Sequence, residues 1–196
     1  MSIIAMRSLA AVTAVVTAFG AFSGCIFDTR SADAPGGAGS TWVVPNLPTQ
    51  VFTNMRTGLE ELTGVNYKRS MQDAFTFVPL PEDANNPTLV GAFDNWTADV
   101  EKEVIDKLLA DAVDIDVSFT DIEQVFDQTP LAFFNVAYSL RVIDSSVPPD
   151  TTFYKGNAQF DMRDGSKGWQ LERWQDTERV SGFATWGFLR GSLRQL

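Results

Sequence analysis

Tyr138 is the side chain whose type and setting come nearest to chemistry. It stands on the apolar side of an alternating run, Ala132, Phe134, Val136, Tyr138, Leu140 and Val142. Its hydroxyl could donate into a pocket lined by Phe134, Tyr138, Phe160 and Trp174, or it could be a core tyrosine reaching a rim carbonyl. Asp161 and Arg163 fall on the polar side of another alternating run and point away from such a pocket. Arg173 and Asp176 lie on opposite parities unless a bulge intervenes, so a cross-strand ion pair or a turn cap accounts for them. Asp114, Asp116, Asp121 and Glu123 offer the hard oxygen ligands that calcium takes. Asp114 and Asp116 alternate with Ile115 and Val117, however, and read as the wet face of a strand. No metal and no cofactor is expected. The chain has no histidine and a single cysteine, Cys25. Without imidazole there is no Ser-His-Asp or Cys-His relay, no haem ligation by histidine and no histidine pH switch, and most zinc sites are excluded. One cysteine cannot form a disulfide within the chain. Neither a glycine-rich phosphate loop nor a helix–loop–helix calcium loop is present. No catalytic set is assigned.

Cys25 ends the run Ala21-Phe22-Ser23-Gly24-Cys25, which follows an apolar stretch from Leu9 to Ala21 with Arg7 as the only charge before it. The stretch has the anatomy of a signal peptide and is too short to span a bilayer, which takes about 20 apolar residues. Phe22, Ser23, Gly24 and Cys25 resemble the lipobox of bacterial lipoproteins, with Phe22 where that family prefers Leu. The resemblance implies cleavage before Cys25, lipid on its thiol, and attachment to a membrane of the bacterial cell envelope, facing the periplasm or exterior. Ile26 rather than Asp follows the cysteine, which favours the outer membrane. Residues 1–24 would then be signal peptide. Residues 25–46 would be the lipidated cysteine and a tether, whose Ala34-Pro35-Gly36-Gly37-Ala38-Gly39-Ser40 run has no periodicity.

The remainder is one domain by length. The net charge is −10. Nucleic-acid phosphate needs clustered Lys and Arg, so no nucleic-acid partner is expected. Anionic lipid would repel the domain, and membrane contact would run through acyl chains on Cys25.

Helical signals come first. Val51, Phe52, Met55, Leu59 and Leu62 form one stripe, with Thr49 as N-cap and Gly64 as stop. A second short helix begins at Asn66 and buries Tyr67, Met71 and Phe75. Phe75 to Val78 reads as a short strand or edge. A third helix, capped by Asn95 or Thr97, buries Trp96, Val100, Val104, Ile105, Leu108 and Leu109. It turns Asp99, Glu101, Lys102, Glu103, Asp106 and Lys107 to water. Alternating runs follow: Ile115 to Phe119, Ala132 to Val142, and Tyr154 to Met162. Asp164 to Gly168 is a hairpin turn. Trp169 and Leu171 start a last strand, and Trp174 breaks its parity, which calls for a bulge or a two-faced strand. Trp169 and Trp174 are expected on opposite sides, one against the core and the other under Phe183, Trp186 and Phe188.

Helices followed by long antiparallel strands make an α+β layout. From about Pro48 to Arg179 the chain resembles the NTF2-like (cystatin-like, SnoaL-like) family. The resemblance rests on the order of elements, on Asn66-Tyr67, on Phe75-Thr76-Phe77-Val78-Pro79 and on the run from Gly168 to Asp176. Thr185 to Gly191 resembles the tail of bacterial NTF2-like lipoproteins. A lipocalin-type barrel or a cystatin-like inhibitor would also give alternating strands, but the leading helices and the strand count argue against a barrel. The resemblance implies helices closing a curved antiparallel sheet into a cone over residues 47–180, with residues 181–196 packed on it. It also implies a homodimer or protein partner through the outer sheet face, where Leu131 and Phe133 lie. No catalytic set of the family maps onto this chain residue by residue. The expected role is a lipid-anchored, non-enzymatic module holding a small apolar ligand or a partner protein. The alternatives are a histidine-independent isomerase, dehydratase or hydrolase, and a scaffold component of an envelope assembly.

Overall fold

The computed structural model describes residues 41–196. The signal segment, Phe22 to Cys25 and most of the tether lie outside the described residues. Helices α1 (Thr49–Glu60) and α2 (Gly64–Arg69) lead into strand β1 (Met71–Val78). A short helix α3 (Pro81–Ala84) and a 3-10 turn (Pro87–Leu89) precede α4 (Ala98–Asp111). Four long strands follow: β2 (Ala112–Gln128), β3 (Leu131–Asp144), β4 (Thr151–Gly165) and β5 (Gly168–Arg179). The chain closes with α5 (Trp186–Arg194). The sheet order is β1-β5-β4-β3-β2. β1 runs parallel to β5, and the other pairs are antiparallel. This is the α+β cone expected from the sequence.

The alternating runs set the inner face. Ala132, Phe134, Val136, Tyr138 and Leu140 of β3 and Ala158, Phe160 and Met162 of β4 are all buried. α1 lays Val51, Phe52, Met55 and Leu59 onto them. Thr97 caps α4, its side chain accepting from Val100 N.

Five local expectations are corrected. Pro48, not Thr49, is the N-cap of α1. Leu62, at φ 53°, takes the left-handed stop expected at Gly64. Gly64 instead opens α2, where a Cβ would run into the Asp106 carboxylate of α4, so glycine permits the close approach. Asn66 lies inside α2 and is buried rather than capping it. Residues 41–46, expected in the tether, are held by the domain. Asn54 bonds both the N–H and the carbonyl of Val43 (3.2 and 2.7 Å), and Trp169 N donates to Pro45 O at 2.9 Å.

The fifth correction concerns β5. The strand does bulge: Asp161 pairs with Arg173 and Met162 with Leu171, leaving Glu172 as the extra residue. The bulge resets the parity, so Trp169, Leu171 and Trp174 all belong to one core rather than to two sides of the strand. The tail therefore does not cover an outer tryptophan. It folds into α5, and Trp186 enters the same core as Trp174.

Candidate functional site

Phe134, Tyr138, Phe160 and Trp174 come together, but in a packed interior rather than around an open pocket. Their exposures run from 0 to 3 %. Trp174 lies 4.4 Å from Phe160 and 4.7 Å from Trp186 between ring centroids. Tyr138 meets both indoles edge-on, at 5.8 and 6.0 Å. Phe119 stacks on Trp186, 15° from parallel. Such tilted and edge-on contacts add to the gain from burial itself. α5 contributes the ring that completes the set.

The same helix carries a charge inside. Arg190 is fully buried. Its Nε and Nη2 donate to the Glu101 carboxylate, the shortest contact being 2.7 Å. Its guanidinium lies 3.9 Å from the Trp174 centroid and 4.4 Å from that of Phe77. Glu101 also accepts from the Tyr67 hydroxyl and from Trp96 Nε1, both at 2.8 Å. A buried pair persists only when its remaining valences are met, and here hydrogen bonds and aromatic faces meet most of them. Burial would lower the Arg190 pKa, but the Glu101 carboxylate and the Tyr67 hydroxyl hold it above its usual range. Burial, then Glu101, pushes Tyr67 well up.

The N-terminus of α5 is docked by two carboxylates. Asp176, on the inner face because of the Glu172 bulge, accepts from Trp174 Nε1 at 2.8 Å and from Gly187 N at 3.1 Å. Asp83 accepts from the Thr185 hydroxyl and pairs with Arg179 at 2.6 Å. Thr185 in turn caps α5, accepting from Phe188 N at 2.9 Å. Negative charge at a helix N-terminus is favourable. A Cβ on Gly187 would come 2.6 Å from Asp176 Oδ2, so glycine lets the carboxylate reach the backbone. The Tyr138 hydroxyl accepts from Trp186 N at 3.2 Å. Burial, then Asp176, raises the Tyr138 pKa.

A tyrosine and a carboxylate of raised pKa in an apolar cavity make an acid–base pair. In this structure both groups are spent on α5. Burial pushes the Asp176 carboxyl up to about 6, against the pull of Arg190 and of the Trp174 and Gly187 hydrogen bonds. The unfolded chain releases this proton near pH 3.8, and the folded chain holds it to about 6. The stability this group contributes is therefore full below the lower value and lost as pH rises through the upper one. We expect the stability of the wild type, measured relative to Asp176→Asn, to fall by at most about 3 kcal/mol between about pH 4 and pH 6. Thermal melts across that range check this; a constant difference would contradict it.

The sequence reading misses Arg190 and the burial of Glu101, and it gives Asp176 only as a turn cap or a partner of Arg173, whereas Asp176 binds Trp174 and Gly187 and Arg173 pairs with Asp161. Glu101 was grouped with the wet face of α4, yet it precedes Val104, Ile105 and Leu108 by three, four and seven residues. That spacing places it on the buried stripe. Trp186 and Arg190 share a helix face by the same four-residue spacing. The other candidates form surface pairs. Arg173 meets Asp161 at 2.8 Å, Arg163 meets Glu172 at 3.0 Å, and Arg141 meets Asp114 at 2.8 Å. Asp121 and Glu123 are exposed. Leu131 and Phe133 are half-buried on the outer face, where Phe133 stacks on Phe126 at 5.0 Å.

Neither a family model nor a curated protein matches the chain. Solved structures do resemble it. A candidate scytalone dehydratase from Novosphingobium aromaticivorans superposes with a TM-score of 0.55 at 9% identity, over 71% of this chain and 90% of the other. A nuclear transport factor 2 (NTF2-like) superfamily protein from Salmonella enterica gives 0.53 at 6% identity, over 68% and 89%. A hexachlorocyclohexane dehydrochlorinase gives 0.50 at 7% identity, over 70% and 89%. At these identities the likeness is one of fold: the described domain has the NTF2-like architecture, which hosts enzymes and binding proteins alike.

Proposed function

We propose that this chain is a lipid-anchored protein of the bacterial envelope, attached through Cys25, whose NTF2-like domain serves binding or scaffolding rather than catalysis. The observation that carries the non-catalytic part is the occupation of the cone by α5. Asp176 and Tyr138 bond the backbone of Gly187 and Trp186, and Trp186 and Arg190 fill the space beside Trp174. A ligand or partner is then met on the outside of the domain. The outer face of β2 and β3, with Phe126, Leu131 and Phe133, is the surface we assign to a second copy or a partner protein. The competing reading, a histidine-independent enzyme, draws on the Asp176–Tyr138 pair and requires α5 to leave the cone.

The anchoring part rests on the lipobox-like residues Phe22, Ser23, Gly24 and Cys25 behind an apolar segment. More than one acyl chain is needed for stable attachment, at about 0.8 kcal/mol per buried methylene. In a bacterium that processes lipoproteins, Cys25→Ala is expected to abolish membrane association and leave an uncleaved precursor. Fractionation with high-salt washes and mass measurement check this. A Cys25→Ala protein of mature mass that stays with the membrane would contradict it.

A further inference from the structure

A groove of about 660 Å³ lies outside the cone. It is framed by Trp42 and Val44, by α2, by Met71 and Asp73 of β1, by Lys102 of α4 and by the β4–β5 turn with Gln170. It shares no residue with the cluster around Arg190. Its volume falls in the range of about 300–1,000 Å³ usual for small-molecule sites. Two features set it apart. Lys68, Arg69, Lys102 and Lys167 all line it, against the single carboxylate of Asp73. In a chain with a net charge of −10 this is a local reversal of sign. The rest of the wall is largely apolar: Trp42, Val44, Val65 and Met71, with Val44 and Val65 54 and 58 % exposed.

The cations are available to a ligand in different degrees. Lys68 pairs with Asp99, Lys102 with Asp106 and Lys167 with Asp73. Asp99 is 86 % exposed and Asp73 92 %. Ion pairs this exposed are worth little, and an incoming anion can replace them. Arg69 differs. Its guanidinium is stacked on Trp42, 4.1 Å from the ring centroid, and makes no ion pair or side-chain hydrogen bond among the described residues. The stacking orients a planar fork of donors whose geometry suits a carboxylate or phosphate.

We propose that this groove binds a single-chain amphiphilic anion, with its oxyanion head on Arg69 and the neighbouring lysines and its alkyl chain along Trp42, Val44, Val65 and Met71. The proposal rests on the ligand-binding half of the reading above and moves the ligand from the cone to its outside. The Cys25 fractionation test is independent of it.

The test is calorimetric titration of the purified full chain in a nonionic detergent with octanoate, octyl phosphate, octanol and octyltrimethylammonium. An Arg69→Gln, Lys68→Gln variant serves as the reference, so that uptake by micelles cancels. Both positions lie at the surface, and an unchanged melting temperature confirms that the variant is folded. Saturable one-to-one binding of an anion, weakened at least tenfold in the variant and by added salt, is the expected result. Tighter binding of octanoate would point to a fatty acid as the source, and tighter binding of octyl phosphate to a phosphate-headed lipid. No saturable heat from either anion, binding unchanged in the variant, or equal binding of octyltrimethylammonium would overturn the proposal.

Discussion

Deleting Gly182–Leu196 is expected to unfold the domain rather than trim it. The deletion removes Trp186 and Arg190, both fully buried, and the largely buried Leu189. Losing a buried tryptophan ring costs about 3–5 kcal/mol. Losing Arg190 leaves the Glu101 carboxylate inside the protein without its cation, at a further cost of about 3–5 kcal/mol. Asp176 also loses the Gly187 N–H, and Asp83 loses the Thr185 hydroxyl. Against a typical stability of about 5–15 kcal/mol, these losses leave little or nothing. We expect the truncated chain to lose its cooperative thermal transition and to bind a dye for exposed apolar surface. A truncated chain that melts cooperatively within a few degrees of the intact one would show that α5 is dispensable.

The second large effect is expected at Trp174. Its ring touches Phe160, Tyr138, Phe119 and Trp186, carries the Arg190 guanidinium on its face, and donates from Nε1 to Asp176. Trp174→Ala should cost about 3–5 kcal/mol, lowering the melting temperature by roughly 6–20 °C. Trp174→Phe keeps much of the ring contact but takes a donor from a buried carboxylate, an omission that costs about 1–3 kcal/mol by itself. We therefore expect Phe to fall between wild type and Ala. If Phe is as stable as wild type, the Trp174–Asp176 hydrogen bond contributes nothing.

Much of this fold is legible in the chain because its sheet has one dry face. The two-residue alternation from Ala132 to Val142 and from Tyr154 to Met162 is the direct consequence, and it marks β3 and β4 nearly to their ends. The helical stripes of α1 and α4 were equally readable, since each packs against the sheet along one side. The site was less readable, for three physical reasons. The position of Asp176 depends on one extra residue at Glu172; alternation alone calls for a bulge but does not locate it. Glu101 lies within a run of exposed charges, and only its spacing to Val104, Ile105 and Leu108 marks it as buried. Arg190 is stabilised by Tyr67, Glu101 and Trp174, which lie 123, 89 and 16 residues before it and none of which is local to α5. A charge inside a core is intelligible only once those partners are assembled.

The central claim is that α5 is a fixed part of the interior rather than a lid over it. Amide hydrogen exchange at Gly187 and Phe188, whose N–H groups donate to Asp176 and Thr185, tests it most directly. If α5 is built into the core, both amides will exchange only on global unfolding, at rates matching the β4 amides around Phe160. Exchange faster than in β4 by roughly a hundredfold or more would mean that α5 opens while the sheet stays folded. That result would contradict the claim and return Asp176 and Tyr138 to consideration as an acid–base pair.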